Sequence, residues 1–470
     1  MTYSIEMLEE FDCSRTAEDA FYYIADFSRI DEWDHTIVAA EKVTAGAVGQ
    51  GTVFDLVYKR GRRKLPIRYE VSEYEEFTRL VMVGEAQNFT ATDTVTIKET
   101  DNGCHVSWRA DIEFRGVAAK IVPFIAGKVK KAGKQTIKDL AIALEDDYPT
   151  PSAKFTHRLA DAMVLPGVAG FTKYGYQHAR KKWLPITANI RGKNILITGA
   201  TSGLGLASAK RLAAMGASLI LVGRDTAKTE EVVKSIQRQT GNKNVDYKIA
   251  DLSLLAEVSE LAEQLLSDGN KIDVLINNAG ALLNPRQETS EGIEKSLALL
   301  LLSPYLLTTK IQPLLKKAGS ARVINVSSGG MYAKRISLSN IESTAGEYSG
   351  AEAYARAKRG LVIAGEEWSK DWAADGITVH NMHPGWAQTP GVETGLPDFS
   401  KRMAAFLRDS DQGADTIVWL AAATEVAKTT GLFWLDRVPH TTHLLRKTKE
   451  TAEQRDQLLE VLNDYTSKYA

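Results

Sequence analysis

The feature that most constrains the fold is a glycine-rich turn between a buried strand and a helix. The apolar run NILIT at 194–198 ends in this turn, and a helical pattern follows at once. The turn consists of Gly199, Ala200, Thr201, Ser202, Gly203, Leu204 and Gly205. Glycine allows a sharp turn and the close approach of a phosphate, while the free N–H groups at the helix start attract an anion. The pattern predicts a nucleotide-binding site.

Strand-like and helical segments alternate after this turn. The runs NILIT, SLILVG, DYKIAD and DVLINN are separated by amphipathic segments, two of them near residues 203–215 and 226–239. Repeated βαβ units of this length predict an α/β domain of Rossmann type, a doubly wound parallel sheet with helices on both faces. Because 470 residues exceed the ~250 to 300 that one core supports, a second domain is expected.

The segment TGATSGLG resembles the TGxxxGxG motif of the short-chain dehydrogenase/reductase family, and the resemblance extends over about 190–445. Further matches are an Asp-Leu pair after the third strand, an NNAG segment and a PGxxxT segment. The resemblance implies that these segments contact a nicotinamide dinucleotide. Beside the glycine turn, the implied contacts are Asp251, Leu252, Asn278, Ala279, Gly280, Pro384, Gly385 and Thr389.

The end of the second strand indicates which dinucleotide is used. NAD-preferring relatives usually place an acid there, whereas this chain has Gly223 followed by Arg224, with Asp225 one step beyond. A guanidinium binds a 2′-phosphate through charge-assisted hydrogen bonds. We therefore expect NADP(H) as cofactor. The alternative is NAD(H), with Arg224 as an ordinary surface arginine.

Tyr354 and Lys358 are four residues apart, so they share one face of a helix. They match the YxxxK motif of the family, and Ser328 matches its substrate-orienting serine. An unperturbed tyrosine has a pKa of about 10, and a nearby lysine and a cationic nicotinamide favour its phenolate. The resemblance implies that Tyr354 exchanges the proton, Lys358 supports it and binds ribose, and Ser328 holds the reacting oxygen.

The chain departs from the family pattern at Leu300, where relatives usually have an asparagine that bends the helix around a water-binding carbonyl. Pro304 follows four residues later. A proline inside a helix removes a hydrogen bond and kinks the helix, which here predicts a free carbonyl at Leu300. Two interpretations stay open: Pro304 compensates for the missing amide, or the proton relay is impaired.

Residues 1–146 have a different organisation. A strand at 3–11, a short helix at 17–26, strand-like runs over 37–115 and one long helix over 117–144 succeed one another. This order, with the stretch FYYIADFSRIDEWD, resembles the polyketide cyclase and START-like superfamily (SRPBCC), an α+β helix-grip fold. The resemblance implies an apolar cavity for a lipid-like ligand; the alternative is a filled core.

The two domains are separated by a predicted linker at 147–190, with the reductase-like domain at 191–470. Four prolines punctuate this segment, at 149, 151, 166 and 185, between short helical pieces. Its basic cluster HARKKW is expected to be a solvated helix face. The last helix, 450–469, is polar and is expected to cap the domain or to form a homo-oligomer contact.

Composition excludes several classes of partner. Fifty-eight basic and 59 acidic residues leave a net charge of −1, which provides no general attraction for nucleic acid. Cys13 and Cys104 suggest neither a disulfide framework nor a metal site, and they favour a reducing, cytoplasmic location. The N-terminus lacks the pattern of a secretory signal, and no apolar run is long enough for a membrane helix.

These observations predict a carbonyl reductase or alcohol dehydrogenase that transfers a hydride between NADP(H) and a small hydrophobic substrate. The polar insert between Ser328 and Tyr354 and the segment GLFWLDRVPHTTHL resemble those of retinol-dehydrogenase-like members, which often handle apolar carbonyls. A rival hypothesis is a lipid-binding protein that senses NADP(H) with little turnover. Leu300 favours the rival, whereas the complete set of Ser328, Tyr354 and Lys358 favours the enzyme.

Overall fold

The chain divides into two compact units. The first comprises Met1–Tyr148 with Leu184–Asn189, and the second comprises Pro149–Trp183 with Ile190–Ala470. The computed structural model describes residues 2–60, 63–145, 151–152, 170–186, 188–395, 397–444 and 448–469. Much of the predicted linker at 147–190 lies outside these residues.

The first unit is built on one antiparallel sheet. Its strands are β1 (Thr2–Cys13), β2 (Ile37–Lys42), β3 (Val53–Arg60), β4 (Arg63–Glu75), β5 (Arg79–Ala86), β6 (Phe89–Thr100) and β7 (Gly103–Arg115). They lie in the order β1-β7-β6-β5-β4-β3-β2, so the first strand pairs with the last, and α1 (Ala17–Ala25) connects β1 to the remainder. Alternate residues of β6 are buried, as expected when one face of a sheet covers a core. The predicted α+β helix-grip class is confirmed.

Aromatic rings fill the interior of this unit. Phe27 stacks on Trp108 with ring centroids 6.3 Å apart, and Trp33 meets the same indole edge-on at 5.7 Å. Asp93 lies among them and accepts hydrogen bonds from Trp108 Nε1 at 2.9 Å and from the Tyr69 hydroxyl at 3.0 Å. Burial raises the pKa of Asp93 to about 6, although the two hydrogen bonds oppose the shift.

The helix predicted over 117–144 is not continuous. It is divided into α2 (Val117–Ile121), a 3-10 turn at Val122–Phe124 and α3 (Ala126–Ala143). Pro123 explains the break, because proline has no N–H for the helical hydrogen bond and its ring clashes with the preceding turn. The expectation of one long helix is therefore wrong.

The second unit is built on an eight-stranded sheet. Its strands are β8 (Asn194–Thr198), β9 (Ser218–Gly223), β10 (Val245–Ile249), β11 (Val274–Asn277), β12 (Ala321–Val326), β13 (Ile377–Met382), β14 (Phe433–Leu435) and β15 (Val438–His440). The order is β10-β9-β8-β11-β12-β13-β14-β15, and every pairing is parallel except that of β14 with β15. The strand order reverses between β8 and β11, where ligands bind in sheets of this kind. The predicted Rossmann-type class is confirmed.

Helices connect these strands. They are α4 (Lys173–Arg180), α5 (Gly203–Ala214), α6 (Thr226–Thr240), α7 (Leu255–Asp268), α8 (Lys295–Leu297), α9 (Ser303–Lys310), α10 (Gln312–Lys317), α11 (Gly350–Asp371), α12 (Pro390–Gly395), α13 (Pro397–Met403), α14 (Ser410–Ala422) and α15 (Ala452–Thr466). Local chemistry fixes their ends: Asp225 caps the start of α6, and Gly241 ends it in the left-handed conformation. None of the helices in the described part of the chain combines the length and hydropathy needed to span a bilayer.

Candidate active site

A cavity of about 840 Å³ opens at the carboxyl ends of the parallel strands. The segments that line it follow β8, β9, β10, β11, β12 and β13. The cavity therefore lies at the reversal of strand order, where the first strand–turn–helix unit contributes the glycine turn.

The glycine turn is shaped for close approach of a ligand. Gly199 and Gly203 have positive φ angles of 65° and 53°. A Cβ on Gly199 would lie 2.7 Å from the Cα of Ala279, so no larger residue fits there. Ser202 is the N-cap residue of α5, but its side chain accepts no hydrogen bond from the first amides of the helix. An anionic group fits this position.

The predicted cofactor residues come together, with one exception. The members that line the cavity are Gly199, Ser202, Gly203, Leu204, Arg224, Asp251, Leu252, Asn278, Ala279, Gly280, Tyr354, Lys358, Pro384, Gly385 and Thr389. Gly205 does not line it: a Cβ there would lie 2.3 Å from the Gly199 carbonyl oxygen and 2.5 Å from Asn278 Nδ2. Gly205 lets α5 pack against the turn.

The wall beyond β9 carries positive charge. Arg224 and Lys228 both line the cavity, and both residues are exposed. A Cβ on Gly223 would lie 2.2 Å from Thr229 Oγ1, so an acidic side chain does not fit at this position without movement. The Asp225 carboxylate caps the start of α6, where it accepts a hydrogen bond from the Lys228 amide at 2.9 Å. Lys228 and Lys295 also line the cavity and were not among the predicted residues, although Lys228 follows Arg224 at helical spacing.

Ser328, Tyr354 and Lys358 line the same cavity. Lys358 is 2% exposed, and its Nζ donates a hydrogen bond to the Val326 carbonyl at 2.7 Å. Burial lowers the pKa of Lys358 to about 8. Burial also raises the pKa of Tyr354, and a hydrogen bond with Ser328 opposes that rise. The lysine alone therefore does not bring the phenol below its ordinary pKa.

A ladder of buried asparagines positions α11, the helix that carries Tyr354 and Lys358. Asn277 Nδ2 donates to Asn325 Oδ1 at 2.9 Å, and Asn325 Nδ2 donates to Asn381 Oδ1 at 3.0 Å. Asn381 Nδ2 then donates to the Val362 carbonyl of the helix at 3.3 Å. A Cβ on Gly365 would lie 2.4 Å from Asn381 Oδ1, so glycine permits this contact. This ladder was not predicted from the sequence, since it joins three strands that are distant along the chain.

The helix around Leu300 contains one π-helical turn, at Ala298–Leu302. The Ser303 amide donates to the Ala298 carbonyl, five residues back, and Pro304 has no amide. The helix is distorted where the sequence predicted it. Pro304 offers no amide to the carbonyl of Leu299, five residues back, or to that of Leu300, four residues back, so the free carbonyl at Leu300 stays a prediction.

A small cavity of about 10 Å³ lies behind the lysine. Asn277, Leu299, Ser303 and Lys358 are among the residues that line it. Asn277 Oδ1 is buried and accepts no hydrogen bond from any described residue. The volume is near the lower limit for one water molecule, and the lining offers polar partners.

Apolar side chains complete the main cavity. Leu282, Leu283, Ala351, Trp386 and Phe399 line it, and the Trp386 and Phe399 rings meet edge-on at 5.4 Å. Their positions follow from the tertiary structure, because they come from four separate segments. Among the described residues, no three His, Cys, Asp or Glu side chains are grouped to hold a metal ion.

The fold and site define a dinucleotide-binding domain with a Ser-Tyr-Lys set on its wall. Residues 193–397 match the family model described as short chain dehydrogenase, and residues 5–145 match the model described as polyketide cyclase / dehydrase and lipid transport.

Named relatives agree with these matches. Dehydrogenase/reductase SDR family member 12 from Bos taurus is 38% identical over 312 residues, which is 66% of this chain and 98% of the relative. The Homo sapiens protein of the same name is 38% identical over 307 residues, 64% of this chain and 96% of its own. Retinol dehydrogenase 13 from Homo sapiens is 31% identical over 258 residues, which is 53% of this chain and 78% of the relative. The chain belongs to the short-chain dehydrogenase/reductase family and is an oxidoreductase, with a polyketide cyclase-like domain at its N-terminus.

We expect the buried Lys358 ammonium to lower the free energy of unfolding of the chain. Because burial lowers its pKa from 10.5 to about 8, the folded chain holds this proton less tightly than the unfolded chain. The cost is fully present below pH 8 and disappears as the pH rises to 10.5. Lys358→Met removes the cost of the buried charge but also loses the hydrogen bond to the Val326 carbonyl. We therefore expect the free energy of unfolding at neutral pH to rise by about 2 kcal/mol.

Urea unfolding without cofactor, at neutral pH and at pH 10.5, measures this effect. The gain should shrink at the higher pH. Lys234→Met, whose side chain is 68% exposed, is the matched control and should change little at either pH. A Lys358→Met chain that is less stable at neutral pH would contradict the prediction.

Proposed function

We propose that the chain is an NADP(H)-dependent oxidoreductase that interconverts a carbonyl and an alcohol on a hydrophobic small molecule. The observation that carries the proposal is that Ser328, Tyr354 and Lys358 line the same cavity as the glycine turn. The apolar lining by Leu282, Leu283, Trp386 and Phe399 supports a hydrophobic substrate.

The chain's own residues bind and orient the reactants and move the proton. When bound, a nicotinamide cofactor supplies or accepts the hydride. The amides at the start of α5 would hold its pyrophosphate. Tyr354 Oη donates a proton to the carbonyl oxygen during reduction and accepts it during oxidation, while Ser328 Oγ donates a hydrogen bond to the same oxygen. The Lys358 ammonium favours the phenolate when the proton has left.

The preference for NADP(H) is supported by the charges after β9. Arg224 and Lys228 offer two cations for a 2′-phosphate, the space at Gly223 is closed to a carboxylate, and Asp225 is engaged as a helix cap. Direct contact of these cations with the 2′-phosphate would distinguish NADP(H) from NAD(H).

We further propose that a water in the small cavity continues the proton path from Lys358. Nζ has donors beyond the one that bonds Val326, and Asn277 Oδ1 is a buried acceptor with no partner among the described residues. Pro304 offers no amide to the carbonyls of the π turn before it, and we propose one of these carbonyls as the second acceptor for the water. This arrangement supports the interpretation in which the Pro304 distortion compensates for Leu300. In this proposal the relay runs through a backbone carbonyl to which Pro304 offers no amide.

The rival hypothesis is an NADP(H) sensor with little turnover whose N-terminal domain holds a lipid-like ligand. The packed aromatic interior around Asp93 does not favour a large ligand in that domain. A ligand there stays a prediction, as do a homo-oligomer contact of the last helix and a cytoplasmic location.

Tyr354→Phe tests the catalytic proposal. The wild-type chain is expected to oxidise NADPH with members of a panel of apolar aldehydes and ketones, and the variant to lose about 10²- to 10⁴-fold in kcat while binding NADPH normally. Tyr348→Phe is the matched control. Tyr348 lies six residues before Tyr354, its hydroxyl donates to Glu294 at 3.0 Å, and its side chain does not line the cavity. Wild-type binding of NADPH without oxidation across the panel would favour the sensor.

Arg224→Ala and Lys228→Ala test the cofactor proposal. Loss of one charge-assisted hydrogen bond should raise the KM for NADPH about tenfold and leave the KM for NADH nearly unchanged. Lys234→Ala, on the same helix and paired with Glu230 at 2.9 Å, controls for general loss of positive charge. Equal losses with both cofactors would show that the cations contact the part the cofactors share.

Pro304→Ala tests the relay. The new amide can bond a carbonyl of the π turn that Pro304 cannot bond, so we expect kcat to fall about tenfold and the pH profile of kcat to shift, while the KM for NADPH changes little. Pro313→Ala is the matched control, because Pro313 is the second residue of α10 as Pro304 is of α9 but does not line the small cavity. An unchanged pH profile for Pro304→Ala would sink the relay.

A further inference from the structure

The first unit exposes an apolar surface at α2 and the following turn. Val117 is 72% exposed, Ile121 53% and Phe124 88%. We call these three side chains, together with the lysines described below, the α2–α3 surface. Exposed large apolar side chains that are adjacent in a fold commonly mark an interaction site.

Local structure explains why these side chains face water. The break at Pro123 ends α2 and turns the chain before α3 begins at Ala126. In α3 the buried residues are Ile137, Leu140 and Ala143, all in its last two turns. The first half of α3 therefore contributes no side chain to the core.

Positive charge surrounds the apolar side chains. Between Arg115 and Lys138 the chain has seven basic residues and no acidic one. The seven are Arg115, Lys120, Lys128, Lys130, Lys131, Lys134 and Lys138. Lys134 lies 3.4 Å from Glu9, whereas Lys128, Lys130 and Lys131 are exposed and form no ion pair with any described residue.

We propose that the α2–α3 surface docks on an anionic lipid bilayer. Phenylalanine and aliphatic side chains enter the boundary between headgroups and acyl chains, and a lysine-rich neighbourhood is attracted to anionic headgroups. A chain with a net charge of −1 has no general attraction for such a surface, so the local cluster is what directs it. A second copy of this surface is a poor partner, because it would bring two sets of lysines together.

Vesicle sedimentation with the full chain tests the proposal. We expect binding to vesicles of phosphatidylcholine mixed with phosphatidylserine, weakening at high salt, and little binding to vesicles of phosphatidylcholine alone. Phe124→Ser should lower the partition coefficient about tenfold or more, because it removes one buried ring from the bilayer. Replacing Lys128, Lys130 and Lys131 by glutamine should lower it about fivefold for each lysine removed.

The chain offers a matched control. Ile121 and Ile142 are both 53% exposed, and Ile142 lies near the other end of α3. Ile121→Ser should weaken binding, whereas Ile142→Ser should not. Far-ultraviolet circular dichroism and NADPH binding check that each variant is folded.

Three outcomes would overturn the proposal. These are no sedimentation with anionic vesicles, equal effects of Ile121→Ser and Ile142→Ser, and concentration-dependent dimerisation that Phe124→Ser abolishes. The last result would assign the surface to a second copy of the chain. Because vesicle binding is measured without substrate, its failure leaves the proposed oxidoreductase activity unaffected.

Discussion

The buried ammonium of Lys358 is the constraint on which the active-site half of the second unit depends. An ammonium without water needs an acceptor, and the Val326 carbonyl at the end of β12 provides one at 2.7 Å. Gly280 leaves room beside it, because a Cβ there would lie 3.0 Å from Leu300 Cδ2 and 3.7 Å from Nζ. The strand end, the glycine and the helix must therefore keep one mutual position for the charge to be tolerated.

Two buried ion pairs hold the segments around that position. Arg359, next to Lys358 on α11, makes two hydrogen bonds of 2.7 Å to Glu450, which precedes α15. Arg408 bonds Asp436 at 2.6 and 2.8 Å and donates to the Pro384 carbonyl at 3.2 Å. Removing one partner of such a pair leaves an uncompensated charge, which costs about 3–5 kcal/mol. The pairs therefore tie loops from distant parts of the sequence to the walls of the cavity.

The first unit also buries an ionisable group, but it accommodates that group without an ion pair. Its buried acid, Asp93, has no cationic partner among its hydrogen bonds and instead accepts from an indole and a phenol. Burial accordingly raises its pKa to about 6, whereas His443 and Arg359 hold the pKa of Glu450 near 2 against its own burial. A carboxyl group surrounded by aromatic rings tolerates the neutral state, and one that faces a guanidinium is held in the charged state.

The sequence by itself determined both fold classes, the glycine turn and the Tyr354–Lys358 spacing. These follow from contacts between residues near in the chain: hydrophobic period, glycine at a sharp turn and helical spacing. Pro123 and Pro304 are likewise visible in the sequence, but their consequences differed from expectation. The break divided a helix that the apolar pattern had predicted to be continuous, and the helix before Pro304 contains a π-helical turn where the sequence predicted a kink.

Only the tertiary structure decided what required distant residues to meet. The asparagine ladder joins three strands, the apolar lining comes from four segments, and Gly205 serves packing rather than ligand contact. The pKa values of Tyr354 and Lys358 depend on burial, which the spacing of the two residues does not reveal. Residues that are neighbours in the sequence determine short-range geometry, whereas desolvation and hydrogen-bond networks exist only once the chain has folded.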